Sequence, residues 1–235
     1  MVKRAVHWMG RKYIEAVCRS EFEGQEMKRW NERPVEFRFV FEQLAALSGV
    51  ARTVLDVGTG TTALPHLIRN CGFVVTATDN VRDYWDEGMV NRHWHVLDDD
   101  ITQTRLKEAS FDVVTCVSVL EHIKAHGRAM ESMLRVLKPG GRLLLTCPYH
   151  ETEYCEDVYL LPGSVIGRGM PYVCQSFSRV QLEEWLKAGG ARVLAQEYWQ
   201  CWTDKLWSCG RQVAPAVRSD ASGPHQLTCL AISKP

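Results

Sequence analysis

Three groups of residues stand out for the chemistry they could support. The first is Asp56-Val57-Gly58-Thr59-Gly60, which follows the apolar, β-branched run Thr53-Val54-Leu55. Glycines at this spacing let a ligand come close to the backbone, because no Cβ stands in the way. The second is a series of acids placed just after apolar runs: Asp79 after residues 73–78, and Asp98, Asp99 and Asp100 after residues 92–97. Carboxylates there can accept hydrogen bonds from hydroxyl or amine donors. The third is Glu121-His122 together with Tyr149-His150. Imidazole and phenol groups can move a proton in a reaction.

These residues need elements to position them. Residues 53–55 read as a buried strand, and from Ala63 the apolar spacing becomes helical through Leu64, Leu67 and Ile68. Gly72 suits a left-handed helix end. Strand, glycine turn and helix form the ligand-binding unit of a doubly wound α/β fold. The dinucleotide fingerprint would place a third glycine at position 63, which is alanine. Before this unit, Pro34 opens a helix whose apolar face carries Phe37, Val40, Phe41, Leu44 and Leu47. After it, strands are expected at 73–78, 92–97, 110–117 and 142–147, with a helix over 122–137. Lys138-Pro139-Gly140-Gly141 reads as a plain turn. Ser178 and Gln181 form a capping box for a helix that stops at Gly189-Gly190. Strands over 191–199 and 225–233 complete the sheet, and the stretch between them reads as irregular.

The pattern Asp-x-Gly-x-Gly, then Asp79, then Ser110-Phe111-Asp112-Val113-Val114 and Leu137-Lys138-Pro139-Gly140-Gly141 in this order resembles class I S-adenosylmethionine-dependent methyltransferases. Within that family, Leu120-Glu121-His122 resembles the small-molecule branch that includes enzymes of ubiquinone and menaquinone biosynthesis. The resemblance spans roughly residues 52–199. It implies a Rossmann-like seven-stranded sheet with helices on both faces and an antiparallel last strand. It implies S-adenosyl-L-methionine as cofactor and methyl transfer to a small-molecule acceptor. It places the methionine part of the cofactor along Asp56, Gly58, Thr59 and Gly60, the ribose hydroxyls at Asp79 with Asn80, and the adenine at Asp100 and Ile101. Val117 closes the cofactor side at the end of the fourth strand.

A general base is needed only where the acceptor holds a proton at neutral pH. His122, His150 and Tyr149 are the candidates, because each follows a strand on the edge where an acceptor enters. A hydroxyl oxygen is the preferred acceptor. Some relatives hold a divalent ion with E-x-x-E-H at this place, but Ser118 stands where the first acid belongs, so no metal is assigned. Two rival readings are a 3′-terminal 2′-O-methyltransferase of RNA and a cofactor-binding scaffold without catalysis. A formal net charge of zero, from 28 basic and 28 acidic residues, disfavours a nucleic-acid partner.

Domain organisation is read as an N-terminal helical extension or lid over residues 1–50. A cofactor-binding domain over 51–235 follows, with an insertion at 148–177 rich in aromatic residues, glycine and proline. A loop this long is usually functional. The extension carries Trp8, Tyr13, Phe22 and Trp30 among Lys3, Arg4, Arg11, Lys12, Arg19, Lys28, Arg29 and Arg33. No apolar run is long enough to span a membrane. The nine cysteines include no C-x-x-C pair and several sit in apolar strand patterns, which fits a reducing, cytoplasmic setting. The sequence leaves oligomeric state open.

Overall fold

The computed structural model describes residues 2–24, 31–167 and 169–235. Lys28, Arg29 and Trp30 of the N-terminal extension lie outside them. The chain forms two compact units that divide at Asn31/Glu32. Among its described residues the first holds one helix, α1 (Val2–Glu23). The second holds everything else, including α2 (Arg33–Ala46). The expected boundary at residue 50 therefore falls late. The reason is burial: Val35, Phe39, Val40 and Leu44 of α2 lose nearly all contact with solvent against the sheet of the larger unit.

In chain order the larger unit continues with β1 (Thr53–Val57), α3 (Leu64–Asn70), β2 (Val74–Asp79), α4 (Val81–Tyr84), β3 (Val96–Asp98) and β4 (Phe111–Val117). Then come α5 (His126–Val136), β5 (Leu137–Pro148), α6 (Arg179–Gly189), β6 (Arg192–Trp202), β7 (Gln212–Ser219) and β8 (Leu227–Ser233). The strands make one sheet in the order β3-β2-β1-β4-β5-β8-β6-β7. The pairs from β3 through β5 are parallel, whereas β8 runs antiparallel to both β5 and β6, and β7 runs antiparallel to β6. The chain winds outward from β1 to β3, then returns beside β1 with β4. The crevice at that reversal is where an open α/β sheet binds its ligand.

The sheet has eight strands where seven were expected. The additional one, β7, lies in the stretch read as irregular. Its sequence, QVAPAVRS, contains a proline and no buried residue, as suits an edge strand. Two boundaries also moved. The expected helix over 122–137 is a short 3-10 turn at Leu120–His122 followed by α5. The expected turn at 138–141 is already part of β5, with a register irregularity opposite Phe111 and Val113. Asp112 holds this corner: its Oδ1 accepts from Lys138 Nζ at 2.8 Å, and its Oδ2 accepts from the backbone N–H groups of Arg52 and Thr53 at 2.9 and 2.8 Å. Partial burial works against ionisation there. Lys138 and the N–H donors outweigh it and hold the carboxyl well below the usual range.

Parallel strands covered on both faces should be apolar throughout. Val54, Leu55, Val113, Val114, Cys116, Leu143, Leu144 and Leu145 are all fully buried. On one face Leu55, Val114, Cys116, Leu143 and Leu145 meet Met130, Met133 and Leu134 of α5 and Leu182 and Trp185 of α6. The capping box at Ser178 and Gln181 starts α6, and Gly190 ends it at φ +60°. This core makes a stiff floor under the carboxyl ends of β1, β2 and β4.

Candidate active site

A cleft of about 450 Å³ opens at those carboxyl ends. Gly58 and Gly60 form one wall; Asp79 and Asn80 at the end of β2 form the next; Asp99, Asp100 and Ile101 follow β3; Val119, His122 and Ile123 follow β4.

The glycine turn is held from the neighbouring strand. Thr78 O accepts from Gly58 N at 2.8 Å and from Thr59 N at 3.2 Å, and Asp79 Oδ2 accepts from Gly60 N at 2.7 Å. Both glycines have positive φ, +68° and +53°. A Cβ on Gly58 would sit 2.3 Å from Val119 Cγ1, so a side chain there is excluded twice over. A Cβ on Gly60 would meet nothing within 4 Å. That is the open approach a ligand needs. Asn91 braces the turn from outside, donating from Nδ2 to the carbonyls of Gly60 and Thr62 at 2.8 and 3.0 Å.

The expected cofactor residues separate into two groups. Gly58, Gly60, Asp79, Asn80, Asp100 and Ile101 line the cleft. Asp56, Thr59 and Val117 do not; they are buried beneath it. Asp56 Oδ1 accepts from Thr115 Oγ1 at 2.6 Å, and burial raises its pKa to about 6. It supports the turn from below. Burial also raises the pKa of Asp79, against the hydrogen bonds from Gly60 N and the Trp85 side chain.

The acids after β3 divide the labour differently from the expectation. Asp100 is occupied locally: Oδ1 accepts from Thr102 N at 2.9 Å and Thr102 Oγ1 at 2.8 Å, and Oδ2 accepts from Gln103 Nε2 at 3.0 Å. It caps the 3-10 turn Ile101–Gln103. Asp99 also lines the cleft, and its buried Oδ2 has no hydrogen-bond partner. An orphaned buried acceptor beside an open cavity is a place for a ligand donor.

Of the three base candidates, the structure brings only His122 to the cleft. Its Nδ1 lies 2.7 Å from Val173 O. A carbonyl only accepts, so Nδ1 carries the proton and the neutral ring keeps its lone pair on Nε2. Burial, with Arg33 adding to it, lowers the pKa of His122 and keeps the ring neutral at pH 7. Tyr149 is buried elsewhere, with its hydroxyl on Glu151 Oε2 at 3.0 Å and the Arg179 guanidinium 5.9 Å above its ring. Burial raises its pKa, so it stays a neutral phenol at pH 7 and offers no phenolate to act as base. His150 stacks on His225 with ring centroids 5.9 Å apart and lies outside the cleft wall.

Several cleft residues were not foreseen. Tyr84, Trp85 and Met89 also line the cleft, and Tyr172 from the 148–177 insertion packs edge-on to His122 at 4.5 Å. The aromatic pair Tyr84-Trp85 in an otherwise polar stretch was the available signal. Glu36 of α2 is fully buried behind the end of β4. It accepts from Ser118 Oγ at 2.5 Å, Thr146 Oγ1 at 2.6 Å and Arg33 Nη1 at 3.0 Å. Glu121 is buried beside it, and burial with the nearby Glu36 pushes its carboxyl well above the usual range. Among the described residues, no group of three His, Cys, Asp or Glu side chains is placed to hold a metal ion.

The sheet order, the glycine turn at the switch point and the acid at the end of β2 define a class I methyltransferase fold. Residues 27–196 match the family model described as a methyltransferase domain, and the chain belongs to that family. It is an S-adenosylmethionine-dependent methyltransferase. A ubiquinone biosynthesis O-methyltransferase of Coxiella burnetii is 26% identical over 174 residues, covering 68% of this chain and 71% of that protein. Among solved structures, the 1,6-didemethyltoxoflavin N1-methyltransferase of Burkholderia thailandensis aligns with a TM-score of 0.57 at 17% identity. It covers 97% of this chain and 89% of its own, and was crystallised with its acceptor and S-adenosylhomocysteine. An N-methyltransferase of Bradyrhizobium japonicum bound to S-adenosylhomocysteine aligns at 0.53 and 16% identity, with 87% of each chain covered. At such identities the two structures speak for the fold.

Proposed function

We propose that the protein methylates a hydroxyl oxygen of a small-molecule acceptor, with His122 as general base. The observation that carries this reading is the His122 ring, which lines the cleft with Nδ1 held by Val173 O, so that Nε2, 4.0 Å from the Glu121 carboxyl, carries the lone pair. The similarity to curated O-methyltransferases supports oxygen as the acceptor atom.

S-adenosylmethionine, when bound, supplies an electrophilic methyl carbon on a sulfonium sulfur. The residues around it have separate tasks. Asp79 accepts from the ribose hydroxyls. Asp99 offers its unpartnered Oδ2 to the adenine amine, and Ile101 presses on the ring face. Asp100 shapes the turn that presents Ile101. On the acceptor side, Tyr172 and Ile123 wall the space beside His122. His122 Nε2 takes the hydroxyl proton as the oxygen becomes nucleophilic, a contribution of about 10²–10⁴-fold for a positioned base. Holding the acceptor oxygen in line adds the larger share.

The test pairs calorimetry with turnover. S-adenosylhomocysteine binding is measured on the wild type and on Asp79→Ala, and a panel of phenols, catechols and primary amines is screened for methylation. Binding that Asp79→Ala abolishes, with turnover of a hydroxyl acceptor that His122→Ala removes, supports the proposal. Turnover of amines alone overturns the choice of oxygen. Hydroxyl turnover that survives His122→Ala overturns the base assignment.

A further inference from the structure

We infer that Glu36 is a positioning residue for His122: from α2 it clamps the turn that follows β4 and so fixes where the imidazole stands. The part given to His122 rests on the proposed function above; the clamp itself stands on hydrogen bonds and backbone geometry. Ser118 opens the turn with a φ of +50°, a left-handed conformation that a side chain disfavours. A residue keeps such a conformation only where its surroundings hold it. Ser118 N donates to both the carbonyl and the hydroxyl oxygen of Thr146 on β5, each at 3.1 Å. Thr146 Oγ1 donates in turn to Glu36 Oε1 at 2.6 Å, and Ser118 Oγ donates to the same oxygen at 2.5 Å. These bonds close a ring through α2, β5 and the end of β4. Arg33 Nη1 donates to Glu36 Oε2 at 3.0 Å and to Val117 O at 3.2 Å, so the residue before Ser118 is tied to α2 as well.

The place of Glu36 in the helix also speaks for conformation. It shares the buried face of α2 with Phe39 and Val40, three and four positions on, and is itself wholly buried. An apolar side chain would pack there without the cost of burying a carboxylate, a cost that only pairing and hydrogen bonds offset. What the turn carries gives the acid its use. Val119 packs directly on Gly58, where an added Cβ would lie 2.3 Å from Val119 Cγ1. His122 N donates to Val119 O at 3.0 Å and Ile123 N to Leu120 O at 3.1 Å, so the imidazole follows the clamped serine through short, local bonds. Arg33, Glu36, Ser118 and Thr146 all lie outside the cleft wall. Glu36 therefore acts through the turn and does not touch the acceptor.

The experiment compares the full wild-type chain with Ser118→Ala, Ser118→Gly and Glu36→Leu. Ser118→Ala removes the hydroxyl but keeps a Cβ at positive φ, whereas Ser118→Gly removes the same hydroxyl together with the strain. Glu36→Leu keeps the packing and offers no acceptor. Two readouts need no acceptor substrate: amide hydrogen exchange at His122 and Ile123, and the nitrogen NMR spectrum of the His122 ring, assigned with His122→Ala, which reports the Nδ1–H tautomer. S-adenosylhomocysteine binding checks that the larger unit stays folded. Ser118→Ala should speed exchange about tenfold or more and mix the tautomers. Ser118→Gly should stay within about threefold of the wild type. Glu36→Leu should match Ser118→Ala, and adding Ser118→Gly to it should recover most of the loss. Equal behaviour of the alanine and glycine variants overturns the inference, and so does a wild-type turn in Glu36→Leu. A fall of about tenfold in S-adenosylhomocysteine affinity in Ser118→Ala also overturns it, because the clamp would then serve the glycine turn. If Glu36→Leu does not fold, the alanine and glycine comparison decides alone. Neither readout uses turnover, so failure of His122 as base and failure of the clamp are told apart.

Discussion

The two halves of the cleft are built by different means. The half proposed for the cofactor is made of strand ends, backbone N–H groups and short sequence-local units: the glycine turn, Asp79 directly after Thr78, whose carbonyl holds the turn, and Asp99 to Ile101. The half proposed for the acceptor is assembled from side chains far apart in sequence. His122 follows β4 and Tyr172 comes from the insertion, while Arg33 and Glu36 of α2 bind Val117 O and Ser118 Oγ behind that wall. A half fixed by backbone geometry tolerates little change in position but serves any acceptor. A half made of converging side chains can be rebuilt without disturbing the cofactor.

Substitutions that act on one half only would sharpen this contrast. The largest effect is expected for His122→Ala, a fall of about 10²–10⁴ in kcat with S-adenosylhomocysteine affinity unchanged; a parallel loss of affinity in calorimetry would break the separation. Gly58→Ala should act oppositely. Its Cβ meets Val119 at 2.3 Å and its φ of +68° disfavours any side chain, so cofactor-product affinity should fall about 100-fold. Asp79→Asn removes a charged acceptor and should cost about 10–100-fold in affinity, at roughly 1.5–3 kcal/mol for hydrogen bonds to a charged group. Asp99→Asn should weaken binding about tenfold and Asp100→Asn less, since Asp100 is committed to its own turn. The reverse order would restore Asp100 as the adenine contact.

A pH profile gives the smallest but cleanest signal. The His122 pKa lies below its ordinary 6.5, and only the neutral ring accepts a proton. The rate should be full at pH 7 and above and fall as pH drops through the lowered pKa. An acid limb above pH 7 would contradict a buried, neutral His122.

What the sequence revealed follows the same division. The glycine turn, Asp79 and the capping box at Ser178 were legible because each depends on neighbours a few residues away. Asp56 was legible as part of a pattern, yet its carboxylate turns inward to Thr115, a partner on another strand that spacing alone does not show. The choice between Asp99 and Asp100 depended on a turn only one residue long in its consequences. Tyr149 and His150 looked equivalent to His122, because all three follow strands. They differ in what packs around them: Arg179 and Glu151 claim Tyr149, and His225 claims His150. The strand β7 escaped because its exposed, proline-containing sequence carries no alternation.

The tie between the glycine turn and β2 has a thermodynamic consequence. The bonds from Gly58, Thr59 and Gly60 to Thr78 and Asp79 are made by the chain's own groups and need no ligand to complete them, so that part of the site costs little ordering on association. Its heat-capacity change should then reflect only the apolar area a nucleoside covers, and its association rate should show no slow isomerisation phase. Saturating ligand should raise the melting temperature of the larger unit by simple mass action, about 2.7 kcal/mol at a hundred times Kd.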